Sequence, residues 1–305
     1  MFKLAVVGTV ADVAAASNHP VNQEVVDHIK KHADTWVPLE LHENPLANLS
    51  VGEIFGLLGS KIGGSAENSN YKSPEINADI PVAYDARSTG CVHAIRDQGQ
   101  CGSCWAFAAT EALSDRICIA SKGKTNVILS PEYMISCDNG NMGCQGGYLN
   151  KAWDFLESTG AVEDSCFTYR GVEGDCPAGT CPDGGNFRQY KCQKGSTVNA
   201  KNAKAIQSAI LAGGPMETGF QVYKDFFNYK SGIYKKTSPF WDYAGGHAVK
   251  IVGWGNENGT NYWICANSWS EKWGENGFFK IAFGQVGIDS DVYACTPELD
   301  SSFLQ

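Results

Sequence analysis

Residues 98–107 read QGQCGSCWAF. Two cysteines separated by two residues can be a redox dithiol, two ligands of a zinc ion, or one structural and one reactive thiol. Cys104 has the better setting for a nucleophile. The apolar stretch WAFAATEALSDRICIA (105–120) predicts a buried helix that begins at it. A helix N-terminus supplies free N–H groups and the positive end of the macrodipole, and both favour a thiolate. Gly99, Gly102 and Ser103 allow a tight turn that brings backbone amides toward the sulfur.

A reactive thiol needs a base, a group that orients the base, and donors for an oxyanion. Of six histidines, His19, His28, His32 and His42 lie in the N-terminal segment, leaving His93 and His247. His93 stands beside Cys91 in a loop and reads as a surface residue. His247 follows Gly245-Gly246 at the start of an apolar strand, where an imidazole can reach into a cleft. Asn267 ends the next strand, and the intervening hairpin can bring its amide oxygen to the ring as an orienting acceptor. Gln98 can offer a side-chain N–H to an oxyanion, with the Cys104 backbone N–H as second donor.

The elements that must position these groups follow from local pattern. LSPEYMISC places Ser130 as an N-cap and Pro131 at the first helical position. YLNKAWDFLESTG is a helix stopped by Gly160, and NAKAIQSAILAGG is another ending at Gly213. HAVKIVGWG and NYWICANSW flank an Asn258-Gly259 hairpin turn, and GFFKIAF follows as a further strand. Helices first and antiparallel strands later make an α+β fold in two halves, with a cleft between them as the ligand site.

The N-terminal region differs in kind. All twelve cysteines lie between Cys91 and Cys295, and none in 17–77. VNQEVVDHIKKH (21–32) and LSVGEIFGLLG (49–59), the latter capped by Ser50, read as helices. GGSAENSNYKSPE (63–75) reads as an exposed, cleavable linker. The whole is either a small subdomain or a removable pro-segment. Lys3, the apolar run Leu4–Ala11 and Ala14-x-Ala16 suggest a signal peptide over 1–16, against an amphipathic segment as the other reading. Twelve cysteines suit an oxidising compartment. The sequons at Asn48 and Asn258 are compatible with glycosylation there.

Composition narrows the partners. A 305-residue chain that is 43% hydrophobic and 19% charged can bury a sizeable core. No apolar run approaches the ~20 residues of a membrane span. A net charge of −9 argues against nucleic acid or an anionic membrane as main partner.

DQGQCGSCWAF, GCQGGY, GGHAVKIVGWG and YWICANSWSEKWGENGFFKI resemble the papain-like cysteine proteases over residues 80–295, from the IPVAYDAR opening onward. SDRICI, DFFNYKSGIY, GWGNENGTNYW and GIDSDV resemble the cathepsin B branch, as do TWVPLE and NPLANLS in the short pro-segment. The resemblance implies a two-lobed papain-like fold, with a helical left lobe and an antiparallel β-barrel right lobe. It implies a signal peptide (1–16), an inhibitory propeptide (17–77) running through the cleft, and a mature domain (78–305). Catalysis would use Cys104, His247, Asn267 and Gln98, without metal or other cofactor.

Gly146 and Gly147 would hydrogen-bond an extended peptide, and Trp269 would wall the His–Asn pair, whereas Trp273 reads as core. The S2 pocket, which takes the substrate residue two before the scissile bond (P2), would be lined by Tyr148, Leu149, Gly219, Ala248 and Asp291. Asp291, with Asp289 ranked second, would admit Arg or Lys beside Phe or Leu. The implied disulfides are Cys91–Cys118, Cys101–Cys144, Cys137–Cys176 and Cys166–Cys181, with Cys192–Cys295 by elimination. Cys265 is expected as a buried free thiol.

SCFTYRGVEGDCPAGTC (165–181), in the place of the cathepsin B occluding loop, is short and holds no histidine. An endopeptidase with an open primed side is therefore expected. Partners would be protein and peptide substrates, its own propeptide and cystatin-type inhibitors. A monomer of the lysosome, a digestive vacuole or the extracellular space is expected. Two other classes were weighed: a catalytically silent papain-fold binding protein, and a zinc or dithiol redox protein, for which a second CxxC pair is missing.

Overall fold

The computed structural model describes residues 18–63, 71–77 and 79–299. The signal-peptide assignment (1–16) and most of the linker (64–70) lie outside the described residues.

Three elements precede the cysteine-bearing body: α1 (Gln23–His32), β1 (Trp36–Pro38) and α2 (Val51–Gly56). Each starts as local chemistry dictates. Asn22 caps α1 by accepting from the Val25 N–H, and Ser50 with Glu53 forms a capping box on α2. The segment is docked on the body. Val26 and Ile29 are buried, β1 pairs antiparallel with β5 (Tyr229–Tyr234), and Trp36 Nε1 donates to the Lys235 carbonyl at 2.9 Å. Gly232 is needed at that junction, because a Cβ there would lie 2.5 Å from the Thr35 carbonyl oxygen.

The first half of the body is helical: α3 (Cys104–Ala120), α4 (Pro131–Cys137) and α5 (Leu149–Ser158). From Cys104 to Cys118 every residue of α3 is buried. A helix covered on all sides needs no polar stripe, and α3 packs against α4, α5 and strands β4 (Met216–Tyr223) and β6 (Tyr243–Glu257). Its buried Arg116 is satisfied by carbonyls, donating to Cys295 and Gly214 at 2.7 Å each. Ser130 accepts from Tyr133 N–H with Pro131 at the first turn, and α5 stops at Gly160, whose φ is +83°.

The second half holds α6 (Ala203–Gly213) and the main strands, which also include β3 (Val198–Ala200), β7 (Thr260–Ala266), β8 (Phe278–Ala282) and β9 (Val292–Ala294). The sheet runs β1-β5-β8-β7-β6-β4-β9-β3, with β2 (Tyr84–Asp85) paired to β6. All of its named strand pairs are antiparallel except β5 with β8. That parallel pair departs from the antiparallel expectation; it is possible because the whole β6–β7 hairpin intervenes between the two strands. Asn258 and Gly259 take φ of +50° and +80° at the hairpin tip, the two-residue turn expected from the sequence.

Five disulfides join Cys91–Cys118, Cys101–Cys144, Cys137–Cys176, Cys166–Cys181 and Cys192–Cys295. Cys104 and Cys265 remain as buried free thiols.

Candidate active site

Cys104 opens α3. The turn before it is pinned from outside: the Gly102 N–H donates to the Cys144 carbonyl at 3.0 Å, and the Cys101–Cys144 bridge crosses the same point. A Cβ on Gly102 would stand 2.6 Å from that carbonyl oxygen, so only glycine lets the two chains meet. Sγ of Cys104 accepts from the Ala248 N–H at 3.4 Å. The helix holding the thiol and the strand holding the histidine thus touch at the sulfur.

His247 lies on β6 opposite Phe220 of β4. Its Nε2 is 2.7 Å from Asn267 Oδ1, which also accepts from the Ser268 N–H at 2.8 Å. An amide oxygen can only accept, so Nε2 carries a proton and the neutral ring keeps its lone pair on Nδ1. Nδ1 has no hydrogen-bond partner of good geometry. Trp269 covers the ring with centroids 4.6 Å apart, while Trp273 is fully buried in the aromatic core.

Gln98 is buried, and its amide is fixed by Ser268, whose hydroxyl donates to Oε1 at 2.7 Å. Nε2 donates to two carbonyls, Cys101 at 2.8 Å and Leu57 at 3.0 Å. Tyr169 lies 2.7 Å from both the Gln98 carbonyl and the Ser103 hydroxyl. Ser268 and Tyr169 therefore position the site and were missed. Ser268 is adjacent to Asn267 and could have been noticed, but nothing in the chain flags Tyr169, which comes from the distant 165–181 loop.

The cleft is crossed by residues 57–62. Gly147 N–H donates to the Gly59 carbonyl at 2.8 Å, Lys61 N–H to the Gly147 carbonyl at 2.9 Å, and Ser60 N–H to the Gly246 carbonyl at 3.0 Å. This is a parallel bridge between Ser60 and Gly147. Contact is so close that a Cβ on Gly146 would lie 2.3 Å from the Gly59 carbonyl oxygen, and one on Gly246 2.2 Å from that of Ser60.

Under this cover the electrostatics are those of a dry site. Burial pushes the Cys104 thiol up to about 11, against smaller opposing contributions from the N–H groups of Ala248 and Gly59. Burial pulls His247 down to about 4, with Asn267 and the Leu57 carbonyl opposing. The thiolate favoured by the helix terminus is outweighed here by desolvation.

A cavity of about 450 Å³ lies beside the crossing segment, lined by Leu149, Gly219 and Asp291. Tyr148 and Ala248 are not among its lining residues with residues 57–62 in place; the Tyr148 N–H donates to Asn141 at 2.7 Å and the Ala248 N–H to the thiol. Asp289 Oδ2 accepts from Gly284 N–H within its own turn. His93 is not the surface residue expected: its ring sits between Asp115 and Asn126, 2.7 Å from each, because Asp115 is buried and draws both its side chain and its N–H. Asn48 and Asn258 are exposed. Among the described residues no cluster of three or more His, Cys, Asp or Glu side chains could hold a metal ion.

The profile of the papain family cysteine proteases matches residues 80–296, and the chain belongs to that family. It is 43% identical over 244 residues to a gut-specific cysteine proteinase of Caenorhabditis elegans, covering 71% of this chain and 74% of that one. It is 41% identical over 222 residues to cathepsin B-like CP3 of Giardia intestinalis, covering 70% and 73%. Among solved structures it superposes on procathepsin B S9 of Trypanosoma congolense with a TM-score of 0.81 and 27% identity, covering 92% of this chain and all of the other.

Proposed function

We propose that this chain is the zymogen of a cathepsin B-like endopeptidase in which Cys104, His247, Asn267 and Gln98 carry catalysis. The observation that carries the reading is the placement of residues 57–62. The Leu57 carbonyl sits on Gln98 Nε2, where an oxyanion would be held, and Gly147 brackets Ser60 as it would a bound peptide. The Cys104 sulfur meets the Gly59 N–H, so the segment lies directly over the thiol.

With the segment gone, the Cys104 proton passes to Nδ1 of His247, and the thiolate adds to a substrate carbonyl. His247 then protonates the leaving amine as the C–N bond breaks. The ring next takes a proton from water, whose oxygen displaces the thioester sulfur. Asn267 keeps the ring oriented throughout, and Gln98 stabilises both oxyanions.

Residues 17–77 would be the removable segment, delivered through the secretory pathway by residues 1–16. Where the cathepsin B loop would need a cation for a substrate C-terminus, this loop offers the exposed carboxylates of Glu173 and Asp175, and its Arg170 is paired with Asp183. Such a loop repels a terminal carboxylate, which supports endopeptidase rather than dipeptide release. Asp291 in the cavity supports acceptance of basic as well as apolar P2 residues.

Covering the cleft lowers His247 and raises Cys104, so the covered state binds fewer protons than the open one below His247's ordinary range and more above the thiol's. The cover is then most secure between about pH 6.5 and 9 and loosens on acidification. The test is alkylation of Cys104 by iodoacetamide. In the intact chain it stays slow from pH 6.5 to 9, and after acid processing it becomes fast at pH 5–7. Equal rates before and after loss of the segment would overturn the reading.

A further inference from the structure

The cavity beside the cleft is lined by charges of both signs, with Lys61 contributed by the covering segment. Its lining includes Asp291 and, from a different element, Lys201. The two reach it through one piece of register. Strand β3 pairs with β9 so that Asn199 stands opposite Tyr293, and both send a donor to Asp291 Oδ1 at 2.8 Å. That fixes the carboxylate. Lys201 is the first residue beyond β3 and lines the same pocket. It is exposed and makes no ion pair among the described residues. The deep wall is apolar and small: a Cβ on Gly219 would lie 3.3 Å from both Leu149 Cδ2 and Ile62 Cδ1. The covering segment seats Ile62 against that wall and brings Lys61 to the lining as well.

We propose that Lys201 is a specificity-determining residue of the P2 pocket, its ammonium tempering Asp291 so that basic P2 side chains gain less than the carboxylate alone would give and acidic or neutral ones lose less. The inference rests on the protease reading above and deepens it. A carboxylate alone would favour an arginine at P2, because charge–charge attraction in a half-enclosed pocket is screened less than in bulk water. A lysine in the pocket lining repels that arginine and attracts a glutamate. Lys201 is exposed and makes no ion pair among the described residues, so its ammonium is available to a ligand.

The test uses acid-processed enzyme, counted by titration of Cys104, and three blocked peptides that differ only in Arg, Leu or Glu at P2. Lys201→Glu raises the Arg/Glu ratio of kcat/KM at least tenfold at low ionic strength, about 1.4 kcal/mol. Lys201→Ala gives a smaller rise, and Asp291→Asn moves the ratio the other way. Added salt shrinks all three effects. A ratio within twofold of the parent in Lys201→Glu, with the Leu peptide still cleaved, overturns this inference alone. Failure of the parent enzyme to cleave the Leu peptide overturns the protease reading and this inference with it.

Discussion

Helix α3 and strand β6 meet over two buried polar clusters. The first is Cys104 with His247. The second lies further along both elements, where Lys250 Nζ is 2.6 Å from Asp115 and 3.6 Å from Glu111, and Asp115 also accepts from His93. In the second cluster the ammonium faces two carboxylates. Burial alone would lower Lys250, but Asp115 and Glu111 outweigh it and hold it above its ordinary value. Only Glu111 Oε1 lacks a partner there. In the first, His247 Nδ1, Asn267 Nδ2 and Trp269 Nε1 are all buried without partners, and both titrating groups are pushed toward neutrality. Polar groups kept unsatisfied next to a cleft are groups reserved for something that binds. The satisfied cluster holds the two elements in register.

That contrast can be broken in three ways. Cys104→Ala removes the nucleophile of the first cluster, and kcat/KM falls by roughly 10⁴-fold or more while the melting temperature barely moves. Asp115→Ala does the reverse. It leaves the buried ammonium with only the more distant Glu111, at a cost of up to about 3–5 kcal/mol, lowering the melting temperature by roughly 6–20 °C. Adding Lys250→Met recovers part of that loss by calorimetry, since the ammonium is gone and Glu111, already raised by burial, can stay protonated. If Asp115→Ala left stability unchanged, the structural role of the second cluster would be refuted. Asn267→Ala is the mildest: kcat drops roughly 10²-fold through a misaligned ring, with little change in KM. A change confined to KM would remove Asn267 from the orienting role.

Much of this was legible in the chain. Caps at Ser50 and Ser130 and the Asn258-Gly259 turn are local, so neighbouring residues decide them. Cys104 declares itself through the glycine-rich turn and the apolar helix behind it. His93 and Tyr169 were not legible, because each takes its meaning from partners far along the chain: Asp115 and Asn126 for one, Gln98 and Ser103 for the other.

The sequence by itself determined the candidate thiol, the helices and strands that carry it, and the cysteine-free segment ahead of them, since these rest on short-range pattern and residue chemistry. The tertiary structure decided the protonation of the site. Whether Cys104 is thiol or thiolate depends on whether Leu57–Ile62 excludes water from it, and desolvation is a property of what packs against a group, not of its neighbours in the chain.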